Sequence, residues 1–146
     1  MPSPTLSVTQ HVAVSQEAAF DYVADLTKHG EWAANDLSIV QTKGDGPAVG
    51  AVYASSADVG NLHFDAQLTV TEFNRPNTFA FTGSDKTGGF SHRFTFALAN
   101  GGTNVTRTIT FDLNVRQYLF YLVTYLPVRL PAARKAMDLL KARLSG

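Results

Sequence analysis

His92 and Arg107 are the residues best suited to chemistry, because each interrupts an otherwise apolar strand face. Alternate residues of a strand point to opposite sides. Over residues 90–98 one side carries Phe90, Phe94, Phe96 and Leu98, and His92 falls among them. Over residues 103–113 one side carries Val105, Ile109, Phe111 and Leu113, with Arg107 in the same set, while Thr106, Thr108 and Thr110 make a solvent face. A guanidinium turned toward an apolar interior is costly without a partner. Arg107 is therefore expected to meet a wet pocket, a carboxylate, or a bulge that breaks the parity. Facing a pocket, the two residues suit binding or polarising a ligand oxygen such as a carbonyl or carboxylate. The alternative is a structural pair satisfied inside the wall. General-base work by His92 needs an orienting carboxylate; its own strand offers none, and Asp112 has the opposite parity.

Other polar groups are sparser. Tyr118, Tyr121 and Tyr125 recur at steps of three and four, one flank of a helix. That flank either sets hydroxyls over a cavity or packs with its hydroxyls in water. Phe64, Phe79, Phe81, Phe94, Phe96 and Phe111 supply an apolar wall. His11, His29, His63 and His92 lack the clustering of metal ligands, and His63 with Asp65 is only an i,i+2 pair on a strand's polar face. The chain has no cysteine, which excludes disulfides, thiolate chemistry and cysteine metal sites. It has no phosphate-binding loop, nucleophile elbow or dinucleotide fingerprint, so no cofactor is expected.

These residues need a scaffold, and the pattern supplies one. Period-two alternation predicts strands over residues 5–14, 37–42, 49–57, 61–73, 78–83, 90–98 and 103–113. Ser15 reads as an N-cap with Glu17 in the first turn, starting a short helix through Ala24. A second short helix is expected over residues 25–35. Gly44-Asp45-Gly46-Pro47, Arg75-Pro76-Asn77 and Asn100-Gly101-Gly102 mark turns. Val115, Leu119, Leu122, Leu126, Leu130, Ala133, Met137, Leu140 and Leu144 then repeat at helical spacing. Pro127 is expected to bend or break that helix near residues 123–126, with Pro131 repeating the defect a turn later. One long terminal helix after a run of antiparallel strands must lie against the sheet. A cavity between the two follows from that arrangement.

The stretches Val14-Ser15 through Phe20, Val23-Ala24-Asp25-Leu26 and Glu31-Trp32 resemble the start of the polyketide cyclase/dehydrase branch of the SRPBCC superfamily, START-related helix-grip proteins. Val49-Gly50, Val70-Thr71-Glu72 before Arg75-Pro76, Gly102-Thr103 and the Leu139-Leu140-Lys141 ending continue the likeness in order, so it covers nearly the whole chain. The resemblance implies an α+β helix-grip fold: a curved antiparallel sheet around a long C-terminal helix, with two short helices after the first strand. It implies a pocket for hydrophobic small molecules, rimmed by the element bearing Trp32, for which a core plug is the competing role. It does not single out one reaction.

A chain of 146 residues, 45% apolar and 16% charged, suits one globular domain over residues 1–146. Net charge is zero but uneven: residues 1–113 hold six Lys/Arg against eleven Asp/Glu, and residues 114–146 hold six against one. Spread-out cations without a binding motif do not make a nucleic-acid stripe. Residues 118–128 are apolar but too short to cross a bilayer, so no transmembrane segment is expected and peripheral membrane contact through the basic helix stays open. The N-terminus lacks the regions of a signal peptide, which makes cytoplasmic location the expectation. The reading is a binder of an apolar, partly oxygenated molecule: a lipid, a fatty acyl chain or a polyketide-like compound. A polyketide cyclase or dehydratase, and a membrane-associated or stress-related protein, are the alternatives.

Overall fold

The computed structural model describes residues 5–59, 61–86, 88–112 and 126–145. Seven antiparallel strands form one sheet: β1 (Thr5–Val12), β2 (Asp36–Lys43), β3 (Val52–Val59), β4 (Leu62–Asn74), β5 (Thr78–Asp85), β6 (Gly88–Ala99) and β7 (Gly102–Asp112). Their spatial order is β1-β7-β6-β5-β4-β3-β2. All neighbours but β1 and β7 are consecutive in the chain, as expected where short turns join alternating strands. Register shifts near Gln41/Lys43 and Val70/Glu72 mark bulges. A bulge bends its strand and raises the local twist, which curves the sheet.

The alternation divides the sheet into two chemically distinct faces. On the outer face Thr5, Ser7 and Thr9 of β1 lie opposite Thr110, Thr108 and Thr106 of β7, with hydroxyl pairs at 3.3, 3.4 and 2.8 Å. On the inner face Phe79, Phe81, Phe94, Phe96 and Val105 are buried. Leu98 shares their parity but is 78% exposed.

Helix α1 (Gln16–Ala24) begins where expected: the Ser15 hydroxyl accepts from the Ala18 amide at 3.1 Å. It packs Phe20 edge-on against Phe73 and Phe96, with centroids 5.1 and 5.3 Å apart. The second element is shorter than the sequence implies. It is a six-residue 3-10 turn, Leu26–Glu31, started by Asp25, whose carboxylate accepts from the Thr27 amide at 3.1 Å. Side chains at i and i+3 eclipse in such a turn, so Leu26 and His29 are buried together.

Helix α2 (Leu126–Ser145) lays Ala133, Ala136, Met137 and Leu140 against the sheet, spacings that place them on one face. It packs along β1, where Gln10 donates to Asp138 at 2.7 Å, and Arg143 reaches the carbonyl of Glu31 at 3.2 Å. The expected defect at Pro131 does not interrupt it: the helix runs through this residue, whose ring sits on the exposed side. The expected break near residues 123–126, and the stripe residues Val115, Leu119 and Leu122, lie outside the described residues. Among the described residues no helix is long and apolar enough to cross a membrane.

Candidate functional site

Between the inner face and α2 lies a cavity of about 190 Å³. Its sheet wall comes from Leu37 and Ile39 of β2, Phe64 and Leu68 of β4, Phe81 of β5, and Ile109 and Phe111 of β7; Ala132, Ala133 and Ala136 of α2 close it. The helix contributes alanines where a larger residue would fill the space, so the cavity exists because this face is small. Gly83 acts similarly on the sheet. It lies opposite Phe90, and a Cβ there would come within 2.8 Å of the Phe90 ring and 2.7 Å of Leu68. Glycine lets that ring lie across the strand at the cavity wall.

Three polar side chains reach the inner end. Arg107 of β7 donates from Nε and Nη2 to Nδ1 of His92 on β6, at 3.3 and 2.9 Å. Arginine only donates, so Nδ1 of His92 carries the lone pair and its ring proton lies on Nε2. The His92 ring stacks on Phe81, centroids 4.8 Å apart and planes 14° from parallel. The guanidinium lies over Trp32 and Phe94 at 5.4 and 5.5 Å, within cation–π range. His29 is the third. Its Nε2–H donates to the Val23 carbonyl at 2.7 Å, leaving the lone pair on Nδ1. Its ring packs against Trp32, Phe81 and Phe94, centroids 4.6, 6.1 and 6.0 Å away. Burial drives its pKa down to about 3, outweighing the hydrogen bond to Val23, and the nearby Arg107 cation pushes the same way. His29 is therefore neutral at physiological pH.

Of the candidates read from sequence, His92, Arg107, Phe64, Phe81 and Phe111 line the cavity. Trp32, Phe94 and Phe96 do not: the structure places them in the core behind it. Phe96 is covered by Phe20 of α1, and Trp32 and Phe94 sit beneath the Arg107 guanidinium. Trp32 is 1% exposed, and its Nε1 finds no hydrogen-bond acceptor among the described residues, so it serves as an apolar plate. Phe79 is likewise buried in the core. Tyr118, Tyr121 and Tyr125 lie outside the described residues. Parity missed His29, whose position depends on a 3-10 turn that leaves no period in the sequence. Asp85, near the less buried β5–β6 end of the cavity, was also missed.

His63, on the outer face, contacts Asp58 at 2.7 Å through Nδ1 and Asp65 at 3.0 Å through Nε2. These carboxylates raise its pKa, Asp58 most strongly. Among the described residues no group of three or more His, Asp or Glu side chains is arranged to hold a metal ion.

Residues 3–144 match the family model described as polyketide cyclase / dehydrase and lipid transport. Several solved structures share the fold. A Thermus thermophilus protein superposes with a TM-score of 0.78 at 14% identity, covering 97% of each chain. A Mycobacterium smegmatis protein gives 0.73 at 18% identity, covering 97% of this chain and 91% of the other. Major latex-like protein 151 of Panax ginseng gives 0.71 at 10% identity, with 99% of both chains covered. At such identities the likeness is one of fold. No curated protein matches the sequence.

Proposed function

Because the chain belongs to the polyketide cyclase/dehydrase and lipid transport family, we propose that it binds a hydrophobic, partly oxygenated small molecule between the sheet and the C-terminal helix. The observation that carries this reading is the cavity itself: an apolar wall with Arg107 and His92 grouped at one end. Few convergent polar groups in an apolar concavity are what orients a small ligand. A lipid, a fatty acyl chain or a polyketide-like compound has that mixed character.

The protonation states favour binding over acid–base catalysis. A general base works best with a pKa near the operating pH, and His29 lies far below it at about 3. Nδ1 of His92 is committed to Arg107. A cyclase or dehydratase role would have to draw its proton transfer from a group other than His29 and Nδ1 of His92.

Native mass spectrometry of gently purified protein tests the reading, together with Ala133→Phe. The phenyl group would occupy the cavity from the helix side. The expected result is an apolar small molecule carried by the wild type and lost from a folded Ala133→Phe variant. A ligand retained equally by both would place binding elsewhere.

A further inference from the structure

Resting on the reading of the cavity as a ligand site, we infer that its ligand carries a hydroxyl group, held at the inner end by donation to Nδ1 of His29. The local chain fixes which nitrogen is available. The last carbonyls of an α-helix have no partner within it. His29 follows α1 closely enough to turn back on one of them, and its Nε2 lies 2.7 Å from the Val23 oxygen. A carbonyl only accepts, so the ring proton sits on Nε2 and Nδ1 keeps its lone pair. A second proton on Nδ1 would set an imidazolium among Trp32, Phe81 and Phe94, and burial among these rings disfavours the charged form. Nδ1 is therefore an acceptor only.

Among the described residues nothing bonds that acceptor. The ring is 3% exposed, and it lines the cavity. Its neighbour Trp32 makes the contrast. Nε1 of Trp32 also lacks a partner among the described residues, but it is sealed in the core, and Trp32 does not line the cavity. Nδ1 of His29 is not sealed in this way and opens on the cavity. The other imidazole at this end has its Nδ1 taken by two hydrogen bonds from Arg107. Buried polar atoms are normally paired, so a ligand donor completes what the protein leaves open at His29.

The chemistry of that donor follows from the surroundings. A ketone, ester or carboxylate oxygen would set lone pair against lone pair. An ammonium donor would meet the same apolar rings that keep His29 neutral. An amide N–H brings a carbonyl that needs a donor of its own. A hydroxyl supplies one O–H and no charge. The cavity limits the remainder of the molecule. A dry cavity of about 150 Å³ takes benzene, and this one measures about 190 Å³. It suits a single hydroxylated ring or a short-chain alcohol, its apolar part against Phe64, Phe81 and Ile109.

Calorimetric titration with 3-phenylpropan-1-ol and with its methyl ether tests the inference. The two probes share a skeleton, and only the alcohol can donate. His29→Phe keeps a ring among Trp32, Phe81 and Phe94 but removes the acceptor. The ratio of alcohol to ether affinity is expected to fall about fivefold in this variant, the worth of one neutral hydrogen bond. Nitrogen NMR of the wild type reads the same contact without a substitution, and decides alone if His29→Phe does not fold. The Nδ1 resonance of His29 should move to lower frequency as the alcohol saturates the site and move far less with the ether. An unchanged affinity ratio in folded His29→Phe, or an Nδ1 resonance unmoved by saturating alcohol, would overturn the hydroxyl inference while leaving the cavity reading intact. A co-purifying molecule with no donor group would do the same. Binding of neither probe, with no co-purifying molecule, would overturn both.

Discussion

His29 and His63 lie on opposite sides of the same sheet and meet opposite fates. His63 is exposed on the outer face between Asp58 and Asp65, and its pKa is raised. His29 is 3% exposed beneath the inner face, and its pKa falls to about 3. The residue type is the same; the side of the sheet decides its protonation. Outside, water and carboxylates stabilise the imidazolium. Inside, Trp32, Phe81 and Phe94 exclude the water it would need. The same division explains why Thr106 and Thr108 end in hydroxyl pairs with β1 while their neighbour Arg107 is directed into a cavity. Period-two alternation thus gives the sheet a hydrated outer surface and a water-excluding inner one.

The largest test of this division compares two inner-parity positions on β6. Phe94 is fully buried, and Phe94→Ala should cost about 3–5 kcal/mol in denaturant unfolding. Leu98→Ala, at a position 78% exposed, should stay within about 0.5 kcal/mol. Similar losses at both would mean that the inner face is packed along its whole length.

The next effect is the response to acid. His29 takes up a proton more readily unfolded than folded, because its folded pKa of about 3 lies below the ordinary value of 6.5. Its contribution to stability is therefore present above pH 6.5 and is lost as pH falls toward 3. The slope approaches about 1.4 kcal/mol per pH unit. His29→Gln should flatten that part of the profile in urea melts taken across the range. His63 has the opposite sign. Its raised pKa gives a contribution present in acid and lost as pH rises through the folded-state value, so His63→Gln should remove a small gain on the acid side. A His29→Gln profile as steep as the wild type would contradict the buried neutral imidazole.

The smallest effect belongs to the threonine ladder. Thr106→Ala removes a hydroxyl 2.8 Å from that of Thr9 on an exposed surface. It should change stability by no more than about 0.5 kcal/mol and leave ligand affinity unchanged. A loss of affinity would show that the outer face takes part in binding.

Much of this was legible in the sequence, for a physical reason. Strand parity is local, so Phe94, Phe96, Val105 and Ile109 could be assigned to one face from their spacing, and Arg107 and His92 with them. The apolar stripe of α2 is similarly legible in the spacing of Ala133, Met137 and Leu140. Coverage is not local. Nothing in β6 tells that Phe20 of α1 seals Phe96 into the core while Leu98 is left exposed. The start of β3 was set too early because Gly50, at φ 90°, turns the chain before Val52 and donates its amide to Val70. His29 was missed because a single 3-10 turn has too few residues to show a period, and of the two readings of Trp32, pocket rim or core plug, the structure places it in the core behind Arg107.

Central to the account is that ligand binding belongs to the inner face alone. Amide chemical-shift mapping of labelled protein during titration with 3-phenylpropan-1-ol measures this most directly, because that probe carries no charge to draw it to the outer face. The account predicts saturable shifts at Phe64, Phe81, Ile109 and Ala133, with Asp58, His63 and Asp65 unmoved. Saturable shifts confined to the outer-face residues, or none anywhere, would contradict it.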